Sequence, residues 1–215
     1  MNNSRIPNNT KFRQGCILMT NKITITIILG LFSLGLVAQN YIGSNKCKSC
    51  HQKEEKGAQF KKWKKTPHSK AFETLKSEQA KKIATKMGLA EAPHKSPKCL
   101  VCHTTGYGKG GYELKDEAFW NYAKDDKAAK KAAKRMKGLQ AVGCESCHGP
   151  GSKYKSKKVM REIYEGNIIG ADLGLWEPNE KNCVECHNED SPTYKPFNFE
   201  DRLEEVQHPF PEGMK

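Results

Sequence analysis

The chain has 215 residues, a formal charge of +13, 36% apolar residues and 28% charged ones. That length gives room for one domain or two small ones. A mean hydropathy of −0.78 is a thin supply of apolar material for an ordinary core, so something other than aliphatic side chains is expected to fill the middle.

The first forty residues differ from the rest. Residues 23–38, ITITIILGLFSLGLVA, are apolar and uncharged, Lys22 precedes them, and no acid occurs before Glu54. The run is short for a membrane span and reads as the apolar region of a secretory leader over residues 1–38. Met19 makes a tidier leader start than Met1, and cleavage after Ala38 leaves a mature domain over 39–215. Membrane association follows only if the leader stays attached. Cys16 lies ahead of the apolar run, the wrong side for a lipid-bearing cysteine, and takes no role.

Beyond the leader, helices are expected over 52–65, over 78–88 with Gly88 as the stop, over 116–138, over 157–166 and over 197–207. Thr66 and Pro67 start a further turn, and the glycine-rich residues 105–114 read as a turn or hairpin. No run alternates for long enough to be a strand. The expected class is mainly α and irregular.

The pattern C-x-x-C-H occurs four times, at 47–51, 99–103, 144–148 and 183–187, and uses eight of the nine cysteines. Three chemistries use such pairs. Zinc joins two pairs into one site and leaves the trailing histidine idle. A thiol–disulfide centre needs a single pair at a helix start. Covalent haem attachment uses all three residues each time: two thiols bond the two vinyl groups, and the following imidazole reaches the iron. Four repeats in an exported chain select the third chemistry. The expected cofactors are four haem c groups, held by Cys47, Cys50, Cys99, Cys102, Cys144, Cys147, Cys183 and Cys186, with His51, His103, His148 and His187 as iron ligands. The porphyrins then form the core, with the polypeptide wrapped around them.

The charge fits this reading. Removing the leader takes away four cations and leaves about +9, of which four ferric haems with ionised propionates offset about four. Export and the lack of any nucleic-acid motif argue against a nucleic-acid partner.

The sixth iron ligands are harder to find. Only His68, His94 and His208 remain for four irons. His68, between Trp63 and Phe72, and His208, after the last helix, are the first candidates. His94 sits in a loop five residues before Cys99, with Pro97 stiffening the path. Met160 is the best thioether candidate, with Lys158 close by. Met87 and Met136 read as packing or surface residues, and Met214 as a frayed end.

The words between the motifs carry a resemblance. YIGSNKCKSCH, WKKTPHSKAFETL, CLVCHTTGYGKGGYEL and VGCESCHGPG resemble the tetrahaem cytochrome c-554 family across most of residues 41–208. The resemblance implies a mostly helical fold with stacked haem pairs, three bis-histidine irons and a five-coordinate iron at the second motif. It implies that His68 serves the haem on Cys144 and Cys147, and that His208 serves the haem on Cys183 and Cys186. The family's distal histidine after HGPG has no counterpart in SKYKSKKVM, so the first haem falls to Lys158 or Met160. Residues 116–138 look like an insertion. Gly149-Pro150-Gly151 either lets the backbone pass close to a neighbouring porphyrin or forms an ordinary turn. The implied function is electron transfer between redox partner proteins in the periplasm. The alternative is reduction of a small nitrogen oxide at the open haem.

Overall fold

The structure, a computed structural model, describes residues 40–208. The expected leader over 1–38, the start at Met19, Cys16 and Met214 lie outside the described residues. Among the described residues every regular element is helical and no strand occurs, as the sequence leads one to expect.

Helix α1 (Lys48–His51) is the first motif itself, with Cys47 capping it. The helix expected over 52–65 is broken. A 3-10 turn at Glu54–Lys56 ends at Gly57, which is left-handed at φ 86, and Ala58 follows at φ 50. Only then does α2 (Gln59–Lys65) run. Lysine and glutamate at high helix propensity favour continuity here, but Ala58 is buried, and its packing fixes a bend that an unbroken helix cannot make. Thr66 and Pro67 open a 3-10 turn, Pro67–Lys70, that leads into α3 (Ala71–Thr74).

Helix α4 (Glu78–Lys86) has the expected ends. Ser77 accepts from Ala80 N at 3.1 Å, and Gly88 stops the helix at φ 66. Helix α5 (Pro97–His103) carries the second motif, with proline in its first turn. Residues 105–112 close a loop in which Tyr112 N donates to Thr105 O at 2.8 Å. It is a turn, not a hairpin of paired strands. Gly106 is needed there: its φ is 68, and a Cβ would lie 2.8 Å from the Tyr41 ring.

The helix expected over 116–138 is two helices, α6 (Glu117–Trp120) and α7 (Lys127–Leu139). Each has its own aspartate cap: Asp116 accepts from Phe119 N at 2.9 Å and Asp126 from Ala129 N at 2.8 Å. The break lets Phe119 and Trp120 turn inward against the core while α7 takes a new direction. Helix α8 (Cys144–His148) holds the third motif, α9 (Lys157–Tyr164) follows, α10 (Glu180–Val184) starts the fourth motif, and α11 (Phe199–Val206) closes the described chain.

One apolar cluster joins Tyr41, Phe72, Leu75, Leu100, Tyr112, Met136 and Leu139, with Cys99 packed against it. It fixes α5 between α3 and α7. Met136 is therefore a core residue, while Met87 stays exposed. After Tyr154 no described apolar side chain is buried, although Ile169, Trp176, Val184 and Tyr194 all lie there. That half of the fold is held by backbone turns, caps and polar contacts.

Candidate cofactor-attachment site

Each motif is wound into one helical turn, so two thiols and an imidazole gather on one side of it. In the first, His51 N bonds to Cys47 O at 3.0 Å. The fourth straddles the end of α10, yet Cys186 N and His187 N still bond to Cys183 O at 3.1 and 3.0 Å. Asn179 and Asn182 form a capping box that starts this last turn. All eight motif thiols are free. They are available for thioether bonds.

The motifs lie against one another in an order that the chain does not follow. Cys47 and Cys144 perturb each other's titration, which brings the first motif to the third. Cys147 feels Cys183, and burial pushes its thiol up to about 11. Cys186 holds Cys102 down to about 7, which brings the fourth motif to the second. The spatial order is first, third, fourth, second.

The imidazoles are directed as iron ligands require. Nδ1 of His103 meets Ala71 O at 2.6 Å. The His68 and His187 rings have centroids 6.0 Å apart, and those of His148 and His208 are 5.8 Å apart. Two imidazoles that bind one metal from opposite sides at about 2 Å per bond place their centroids about 6 Å apart. Burial lowers the pKa of all four of these histidines, which favours the neutral ring and leaves one nitrogen of each unprotonated for a metal.

These pairs correct the expected assignment. His68 faces His187 of the fourth motif, not His148, and His208 faces His148 of the third, not His187. The reason is a turn of the side chain away from its backbone. Val142 N donates to His68 O at 3.1 Å, so the His68 backbone does adjoin the third motif while its ring points elsewhere. His94 has no part in either pair. It lies half-buried among Glu73, Lys76, Lys81 and Lys95. On α9, Met160 is half-buried and Lys158 exposed. His51 neighbours the His148–His208 pair.

The glycines after the third motif approach protein, not an open face. Gly149 has φ 75 and ψ 173, and a Cβ there would lie 2.3 Å from Gly174 O and 2.9 Å from the Trp176 indole. Tyr154 donates its hydroxyl to Gly149 O at 2.6 Å, and Trp176 N donates to His148 O at 3.0 Å. The expected approach is to a porphyrin; the close neighbours that the structure gives Gly149 are the 174–176 backbone and indole.

Glu145 is the residue that sequence reasoning missed. It lies between Cys144 and Cys147, 1% exposed, and its carboxylate accepts from Ile42 N, Gly43 N and Gly151 N, each at a shortest distance of 2.7–2.8 Å. It clamps the segment that enters the first motif to the helix that carries the third. Burial pushes its pKa up, while the three N–H donors and Arg135 pull it down. An acid within a motif of a lysine-rich chain looks like a solvated residue, and no local signal separates the two cases.

The donor set therefore fits covalently attached haem: free thiols in pairs, an imidazole at His103 whose Nε2 keeps its lone pair, and ring separations that admit an iron. The amphipathic face of α9 (Val159, Met160, Ile163) and the exposed Val101 and Val184 inside the motifs fit a covering macrocycle.

The comparisons agree with this chemistry. The family described as "Cytochrome c554 and c-prime" matches residues 46–149. Cytochrome c-554 of Nitrosomonas europaea is 37% identical over 116 residues, which are 53% of this chain and 40% of that relative's length. A solved structure, the reduced state of cytochrome c554 from Nitrosomonas europaea, is 30% identical over 78% of each chain, with a TM-score of 0.49.

Proposed function

Because residues 46–149 place this chain in the cytochrome c554 and c-prime family, we propose that it is an electron carrier with four covalently bound haem c groups, working in the periplasm between redox partner proteins. The observation that carries the reading is the adjacency of the four motifs through Cys47 and Cys144, Cys147 and Cys183, and Cys186 and Cys102.

The eight motif cysteines hold the rings, and His51, His103, His148 and His187 bind the irons from one side. His208 and His68 complete the third and fourth sites, and Met160 is the candidate for the first. The bound group supplies reversible one-electron exchange between ferric and ferrous iron. The protein's part is to keep each attachment site against the next, to hold the imidazoles neutral and oriented, and to surround the set with cations that balance propionates.

Expression in a periplasm equipped for haem attachment tests the proposal. About four haems per chain, resistant to acid–acetone extraction, are expected, because thioether bonds survive denaturation and coordination bonds do not. Extractable haem, or zinc at stoichiometric amounts, overturns it.

A further inference from the structure

Helix α7 is the longest helix among the described residues, and it carries no acid. Within Lys127–Leu139 it carries Lys127, Lys130, Lys131, Lys134 and Lys137, all exposed. Some lysines elsewhere have partners close in the chain, Lys61 with Glu54 at 2.7 Å, Lys76 with Glu73 at 3.1 Å and Lys81 with Glu78 at 2.6 Å, whereas α7 offers five together with none. Among the described residues none of the five α7 lysines has an ion-pair partner. Lys127 and Lys131, and Lys130 and Lys134, are like charges at i,i+4, a spacing that disfavours the helix. An acidic surface laid against the stripe would relieve that repulsion.

The stripe points away from the rest of the protein. At 100° per residue Lys127, Lys130, Lys131 and Lys134 turn away from the buried Met136 and Leu139, and Lys137 lies beside the buried Ala133 at the edge of the stripe. Arg135, between the two faces, is committed to Tyr41 O and Gly110 O and locks α7 in place. Beside the stripe is a concavity of about 320 Å³ lined by Trp120, Tyr122, Ala133, Lys137 and Gln140. Lys137 belongs to both. A rigid cationic stripe next to an aromatic-lined hollow has the two parts of a docking surface: long-range steering and a central anchor.

We propose that the exposed face of α7, with the Trp120–Tyr122 hollow, docks an acidic face of a partner redox protein. It rests on the chain being an electron carrier. The position suits that role. Met136 and Leu139 on the inner side of α7 share one apolar cluster with Leu100 and with Cys99 of the second motif, so a partner on the outer side sits one helix away from that attachment site.

The test uses the haem-loaded protein and an acidic plant-type ferredoxin as electron donor, with reduction followed by stopped flow at rising salt. Two triple variants carry the same change of charge: Lys130→Gln/Lys134→Gln/Lys137→Gln on α7, and Lys61→Gln/Lys76→Gln/Lys81→Gln elsewhere. The α7 triple is expected to slow reduction about tenfold at low salt and to flatten the salt dependence, while the control changes it less than about twofold. Trp120→Ala is expected to weaken docking with the salt dependence unchanged. Haem content and reduction by dithionite are measured on each variant, so a chain that carries no electrons at all is told apart from one that has lost only its docking face. Equal effects of the two triples, or no effect of either, overturn the proposal. Loss of binding to vesicles with about one-third anionic lipid, with ferredoxin reduction unchanged, overturns it in favour of a membrane surface.

Discussion

Nδ1 of His103 lies 2.6 Å from the carbonyl oxygen of Ala71. A carbonyl only accepts, so Nδ1 carries the proton and Nε2 keeps its lone pair. The second motif thus presents an imidazole lone pair on one side, available to an iron. On the other side His94, the nearest free histidine in sequence, is held among Glu73, Lys76, Lys81 and Lys95. The reduced haem-loaded protein is therefore expected to bind about one carbon monoxide per chain, and His94→Ala is expected to leave that number unchanged. Absence of binding would mean that this iron has a sixth ligand.

The ring pairs give a second expectation. His68→Ala and His208→Ala should each open one further iron to carbon monoxide. With Cys183→Ser and Cys186→Ser also present, His68→Ala should add nothing, while His208→Ala should still add about one site. The reverse pattern would return both histidines to the pairing that the family resemblance implies.

Met160→His tests the first iron. Thioether ligation favours ferrous iron and raises the potential. A redox titration is expected to show one potential lowered and the others unmoved. Four unmoved potentials would exclude Met160 and direct attention to Lys158.

Gly149→Val is expected to destabilise. With φ 75 and ψ 173 the residue occupies a region open almost only to glycine, which costs a larger residue about 1–3 kcal/mol before any clash. The new Cβ also meets Gly174 O and the Trp176 indole. Thermal unfolding checks this: an unchanged Tm would mean that the 174–176 segment gives way freely.

Glu145→Gln removes one of the two acceptor oxygens from a buried nest of three N–H donors. A loss of about 1–3 kcal/mol is expected in denaturant unfolding. The pH dependence has a definite sign. Burial holds the folded Glu145 above its ordinary value of 4.5. Between those two values the folded chain binds a proton that the unfolded chain has released, so this group's contribution to stability falls as pH rises through the window. Glu145→Gln should remove that fall. A variant with the same pH profile as the parent would show that the N–H donors cancel burial, and a profile shifted in the opposite sense that they outweigh it.

What could be read in the sequence was whatever depends on a few adjacent residues. Four C-x-x-C-H words imply four helical turns because the geometry lies within five residues, and Ser77 and Gly88 mark α4 because caps act locally. The breaks at Gly57–Ala58 and at Asn121–Asp126 were not legible. Gly57 and Asp126 are local stop and cap residues, but the alanine, lysine and glutamate around them favour helix, and only the packing of Ala58, Phe119 and Trp120 decides for a break. The partners of His68 and His208 lie 119 and 60 residues away, and a ring's direction depends on where its backbone is tied. Glu145 was hidden for a different reason: its donors are backbone groups, which carry no sequence signature.

The disagreement between spatial and chain order bears on how the protein is made. A ribosome delivers the second motif long before the fourth, yet the thiol that Cys102 lies against is Cys186. The first pairing, Cys47 with Cys144, must wait for nearly a hundred residues, and the last closes only when synthesis is almost complete. Any motif that accepted its haem before the fourth was made would have to be recognised as an isolated turn, without help from its eventual neighbours.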